Sequence, residues 1–210
     1  MNEATKPFLK DIYAAVLAAN YTKVPETDAD YYYHLSDGTL WILFEESAGG
    51  VDWKHNFQFA RKPYRDMEDK WYAHRGFLSV WKSVEPHLAE VIKDPAVTEI
   101  IIAGYSHGAA LALLCHEYCK FNRPDLGDKI EGFGFGCPRV VWGTPSEAVQ
   151  KRFEGFTVIR NKGDIVTHVP PFFIGYRHEG EMLKIGELGK YNPIDAHRPE
   201  NYMAELEVLQ

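Results

Sequence analysis

Apolar positions recur along this chain at two periods, and the alternation between them predicts its elements. From Lys6 to Asn20, Phe8, Leu9, Ile12, Tyr13, Val16 and Leu17 are spaced as the inner stripe of an amphipathic helix. Tyr31 to Leu35, then Asp37-Gly38, then Thr39 to Phe44 predict a hairpin, because Asp-Gly suits a two-residue turn. A second helix is expected over Phe77 to Lys93, with Phe77, Val80, Trp81, Val84, Leu88 and Val91 facing inward and Pro95 ending it. Ile100-Ile101-Ile102 predicts a buried strand, and the Ala/Leu-rich run after Gly108 a helix that stops near Phe121. Further strands are expected over Lys129–Gly136, Phe156–Arg160 and Met182–Ile185, and a last helix over Pro199–Leu209. Helices alternating with strands predict an α/β protein with a mostly parallel central sheet and helices on both faces. At 210 residues a single domain is expected. Ser47 to Trp71 has no clean period and is expected to be an excursion over the surface.

The junction of the central strand and helix is Gly104-Tyr105-Ser106-His107-Gly108. A serine on a tight strand-to-helix turn has its hydroxyl pushed out of the fold, and glycines on either side avoid collisions between strand and helix. The amide after the serine lies at a helix N-terminus, where unpaired N–H groups favour negative charge. One turn thus presents a nucleophile and half of an anion site.

A serine hydroxyl needs a histidine base oriented by a carboxylate. In α/β-hydrolases these follow the serine in the order acid, then histidine, which leaves His168, His178 and His197 of nine histidines. Asp164 lies just after a predicted strand, at the face where α/β proteins bind ligands. Asp195 competes with it.

Composition narrows the chemistry. The net charge of −7 argues against nucleic acid and gives no attraction to anionic membranes. No apolar run approaches the roughly 18 residues needed to span a bilayer. The first residues lack the layout of a secretory signal, so a cytoplasmic protein, or one released without a visible signal peptide, is expected. Cys115, Cys119 and Cys137 suggest buried thiols and no disulfide framework. No histidine spacing matches a metal set, and Gly132 to Gly136 lacks the spacing of a phosphate loop, so neither metal nor cofactor is expected.

Seven ordered segments resemble the class 3 lipases, a fungal-lipase-like branch of the α/β-hydrolases. They are Trp41 to Ser47, Val51-Asp52-Trp53, His74 to Leu78, the serine turn, Phe135 to Val140, Asp164 to Pro171, and His197 to Tyr202. The resemblance implies that Ser106 is the nucleophile, Asp164 the acid and His197 the base. It implies an oxyanion hole from Ser47 and the His107 amide, with Glu45-Glu46 standing where the family has Arg-Gly. His168 becomes a supporting residue and His178 a surface loop residue. Trp53, Val51 and Tyr105 are assigned to the lid and substrate, with the lid between Ser47 and Trp71. The implied activity is ester hydrolysis on lipid or small acyl esters through an acyl-enzyme, with transient contact to a lipid interface. A feruloyl-type polysaccharide esterase, an acyltransferase and a non-catalytic binding module on the same fold are the alternatives.

Overall fold

The computed structural model describes residues 7–27, 29–45, 60–64 and 70–209. The helix predicted near the N-terminus is α1 (Leu9–Ala18), and a short strand β1 (Thr22–Val24) leads into the hairpin of β2 (Ala29–Ser36) and β3 (Thr39–Phe44). Asp37 and Gly38 have φ of 50° and 84°, the doubly left-handed turn that matches the twist of paired strands. After β4 (Arg61–Tyr64) and β5 (Trp71–His74) come α2 (Arg75–Ile92), β6 (Glu99–Tyr105) and α3 (His107–Asn122). The chain continues through β7 (Ile130–Phe135), β8 (Val141–Trp142), α4 (Glu147–Lys151) and β9 (Phe156–Asn161). It ends with β10 (Tyr176–Arg177), β11 (Glu181–Ile185) and α5 (Pro199–Glu207).

Seven strands form the main sheet in the order β1-β2-β3-β6-β7-β9-β11. The first three pair antiparallel and the other four join in parallel, as the alternating pattern predicts. Side-chain alternation along β6 splits the core. Ile100 and Ile102 point to the side covered by α2 and α3, with Trp81, Leu88, Leu111 and Phe156. Ala103 and Tyr105 point to the side covered by α1 and α5, with Tyr13, Phe133, Phe135 and Tyr202.

Helix α3 is buried from Gly108 to Cys119 on every side, which is how a helix apolar all round is accommodated between a sheet and another helix. Glu117 is the exception to its chemistry. Its carboxylate is fully buried and held by the Arg152 guanidinium at 3.0 Å. Burial nevertheless pushes its pKa up to about 7, so desolvation outweighs the ion pair.

A second, antiparallel sheet in the order β10-β8-β5-β4 stands beside the main one. The sequence pattern predicts none of it. Strands of two to four residues are too short to express a period, and β4 falls within the stretch expected to be an unpatterned excursion. That expectation is corrected for 61–64 and for Trp71, which are sheet. Residues 47–59 and 65–69 of the expected lid lie outside the described residues.

Protonation of Glu117 favours the folded chain, because its folded pKa lies above the unfolded value near 4.5. Stability contributed by this group is therefore lost as pH rises from about 4.5 through about 7. Denaturant midpoints measured between pH 5 and pH 8 should fall more steeply with pH in the parent than in Glu117→Gln. Equal slopes would show that the buried carboxylate keeps its ordinary pKa.

Candidate active site

Ser106 sits between β6 and α3 with φ 56° and ψ −118°, a conformation side chains rarely adopt. Its amide donates to the Phe135 carbonyl of β7 at 2.8 Å, which fixes the turn to the neighbouring strand. A Cβ on Gly104 would run into the Gly108 carbonyl, and one on Gly108 into the Phe44 and Glu45 carbonyls at the end of β3. Strand, helix and adjacent strand meet here at backbone distance, so both positions must be glycine. Ser106 occupies the position before the helix where a serine normally caps it, yet its side chain makes no capping bond. The hydroxyl is left for another partner.

That partner is His197. Its Nε2 lies 2.8 Å from Ser106 Oγ, and its Nδ1 lies 2.8 Å from Asp164 Oδ2. Carboxylate oxygens accept, so Nδ1 carries the hydrogen and Nε2 is left to accept from the serine hydroxyl. Asp164 has no exposed surface, and the His197 side chain is 13% exposed. Three donors converge on the buried carboxyl: His197 Nδ1, the Val166 amide at 2.8 Å and the Tyr202 hydroxyl at 2.6 Å. Tyr202 is fully buried, and burial together with the neighbouring Asp164 raises its pKa well above the usual value, which keeps it a donor. Its oxygen also accepts from the Asn161 amide at 3.1 Å. The Asn161 side chain donates to the Ala196 carbonyl at 3.0 Å, tying the loop that carries His197 to the end of β9.

Tyr105 belongs to this arrangement in a way the sequence does not suggest. Expected to face the lid and substrate, it is 2% exposed and lies behind His197. Its ring stacks on the imidazole, centroids 5.1 Å apart and planes 20° apart, and its hydroxyl donates to the His197 carbonyl. The alternation of β6 turns it inward with Ala103. The missed signal was that period of two.

The other candidates fall into place around the three. Asp195 is occupied elsewhere, in a 2.8 Å ion pair with Arg198 and a bond from Asn192. His168 contacts Arg160 through Nε2, and its pKa is lowered by burial and by Arg160 and Arg139. His178 is not a loose surface residue. Its Nε2 donates to the Thr167 carbonyl at 2.9 Å, and burial lowers its pKa to about 4. The Thr167 hydroxyl in turn donates to the Asp164 carbonyl at 2.9 Å, so His178 braces the loop that holds the acid. The His107 side chain is half-buried beside Phe77 and His74, and desolvation lowers its pKa to about 4. Its backbone amide is the first of α3, where no preceding turn supplies a carbonyl. Ser47, Val51 and Trp53 lie outside the described residues.

With this geometry in view, comparison with known proteins is direct. The family model "Lipase (class 3)" matches residues 41–174, more than half of the chain. The chain belongs to the class 3 lipase family. The matched span of this class 3 lipase relative includes Ser106 and Asp164 and stops short of His197. Over 161 residues it is 30% identical to a lipase of Rhizomucor miehei, covering 70% of this chain and 41% of that protein. It is 29% identical over 187 residues to "Phospholipase A1-II 1" of Oryza sativa, covering 73% of this chain and 46% of that one. The chain thus spans less than half the length of these curated relatives. A solved lipase structure from Rhizopus microsporus var. chinensis superimposes with a TM-score of 0.67 at 26% identity, over 80% of this chain and 60% of that one. The α/β-hydrolase fold of the family member is thereby established.

Two substitutions separate the acids. Asp164→Asn leaves His197 Nδ1 facing an amide and should slow fluorophosphonate labelling of Ser106 by about 10⁴-fold. Asp195→Asn should leave labelling within a few-fold of the parent. The opposite ranking would move the acid to position 195. Tyr202→Phe removes one charge-assisted bond to Asp164 and should slow labelling by about ten- to a hundred-fold.

Proposed function

We propose that this protein is a serine carboxylic-ester hydrolase of lipid or small acyl esters, working through an acyl-enzyme. The observation that carries the reading is the unbroken line from Asp164 through His197 to Ser106, with both bonds at 2.8 Å. The relatives named above as lipases and as a phospholipase A1 support ester substrates of the lipid class.

In this reading Ser106 Oγ attacks the ester carbonyl carbon while His197 Nε2 takes the hydroxyl proton. The carbonyl electron pair moves to oxygen, and the imidazolium is stabilised by Asp164. The His107 amide receives the oxyanion, aided by the positive end of α3. By the family resemblance the Ser47 amide and hydroxyl supply the second contact. His197 then gives its proton to the departing alcohol oxygen as the carbon–oxygen bond breaks. Water, deprotonated by the same nitrogen, attacks the acyl-enzyme, and the serine leaves with its proton restored. Burial lowers the pKa of the His107 side chain to about 4, so that imidazole is neutral near pH 7 and His107 serves the oxyanion through its backbone N–H.

Ser106→Ala should lower kcat on p-nitrophenyl esters by about 10⁴–10⁶-fold. Retained activity would end the assignment. Ser47→Ala should cost up to about 10²-fold if its hydroxyl assists, since the amide survives the change. A series from p-nitrophenyl acetate to palmitate, with and without detergent micelles, separates a preference for soluble esters from one for aggregated lipid.

A further inference from the structure

Between the loop holding Asp164 and β10, Phe172, Phe173 and Ile174 form a 3₁₀ turn whose side chains are 72%, 77% and 37% exposed. A single surface phenylalanine needs no explanation, but three consecutive large apolar residues at one tip do. This tip is also rigid. Pro170 and Pro171 precede it, Gly175 closes it at φ 98°, and its amide donates to the Phe172 carbonyl at 2.9 Å. Trp142 Nε1 donates to the Ile174 carbonyl at 2.9 Å, Gly143 N to the Gly175 carbonyl at 2.9 Å, and Arg139 to the Pro170 carbonyl at 3.0 Å. Folding holds two phenyl rings in water with these four hydrogen bonds, which do nothing to bury them.

The sheet that carries this tip is chemically unlike the rest of the chain. Its strands β4, β5, β8 and β10 contain no Asp or Glu; Arg61 shares a face with Tyr72 and Trp142, while Lys62 and Arg177, both exposed, stand on the edge strands β4 and β10 and alternate to the other face. Residues 165–178 are likewise free of acids, in a chain with 30 of them and a net charge of −7. The Arg61 guanidinium lies 3.6 Å over the Trp142 ring, and Tyr72, 41% exposed, packs its edge on the same tryptophan. Three carboxylates, Asp66, Glu68 and Asp69, stand in the sequence between β4 and β5, flanked by Arg65 and Lys70. The sheet reaches the serine turn through a run of tilted ring contacts, Tyr176 with His74, His74 with Phe77, and Phe77 with His107.

From these observations we infer that the β4-β5-β8-β10 sheet and its Phe172-Phe173-Ile174 tip dock the protein on an anionic phospholipid surface. The occupant follows from charge complementarity together with apolar side chains displayed at the tip. Aromatic rings enter the boundary between headgroups and acyl chains, and arginines and lysines beside them meet the phosphates. Each basic residue at an anionic surface adds about five-fold to partitioning, and the two phenyl rings supply the rest. The net charge of −7 does not describe this part of the surface, because the potential felt within a Debye length is that of the nearest residues. The inference rests on the esterase reading only for its purpose, which is to bring a lipid ester to Ser106.

Co-flotation of Ser106→Ala protein with vesicles tests the surface without hydrolysis. Binding to phosphatidylcholine/phosphatidylglycerol vesicles is expected, at least ten-fold weaker on phosphatidylcholine alone and weakened by added salt. Adding Phe172→Ser and Phe173→Ser should reduce binding by at least ten-fold. With Ser106 intact, the same double variant should hydrolyse p-nitrophenyl acetate as the parent does, which shows that it folds. Vesicle binding unaffected by the double variant, or equal binding to both vesicle types, would overturn the inference. A dimer that the double variant dissociates, with no vesicle binding, would assign the tip to a second copy and overturn it equally. Failure to hydrolyse p-nitrophenyl acetate with vesicle binding intact strikes the esterase reading and leaves the docking surface standing.

Discussion

Everything at the active end of this molecule depends on a backbone that cannot relax at Ser106. The residue is held at a positive φ between a parallel strand and a helix, and its amide is pinned to β7. Strain of this kind costs on the order of 1–3 kcal/mol and persists only where the surroundings over-determine it. Here they do so through close approach. Gly104, Gly108 and the end of β3 touch main chain to main chain, so the helix cannot slide along the sheet to release the serine. The first strand crossover, the buried helix and the two glycines follow from that one requirement.

Asp164 and His197 are held by different physics. Asp164 is buried, and a buried carboxyl is tolerable only when donors surround it. Val166, Tyr202 and His197 fill that role, and the backbone of the same loop is braced from behind by Thr167 and His178. The loop is therefore built to present one oxygen in one direction. His197 arrives from a separate 3₁₀ turn, fastened to β9 by Asn161. Two loops, each poor in regular structure, are made rigid through hydrogen bonds to strand ends.

The sequence conveyed those parts of the fold that depend on runs long enough to have a period. The hairpin, the four helices of nine residues or more among the described residues, and the parallel strands are visible because each repeats its pattern several times. The small sheet was invisible, since β8 and β10 are two residues each and their pairing is set by tertiary contacts. Ser106 was legible because its glycines are a direct imprint of backbone crowding. The choice between Asp164 and Asp195 was not legible from residues alone. It turns on which carboxyl is already engaged, and Asp195 is taken by Arg198. Tyr105 was read outward although counting in twos from Ile101 turns it inward.

Tyr105 and Ser106 are neighbours on one bend, and one grips His197 from behind while the hydroxyl of the other meets its Nε2. Whatever jostles the strand end therefore carries oxygen and imidazole along together. The gap between hydroxyl and imidazole is set within a dipeptide, because Tyr105 holds the ring and carbonyl of His197 while Ser106 offers the hydroxyl. A catalytic distance becomes a local property of the chain, even though its two ends are 91 residues apart.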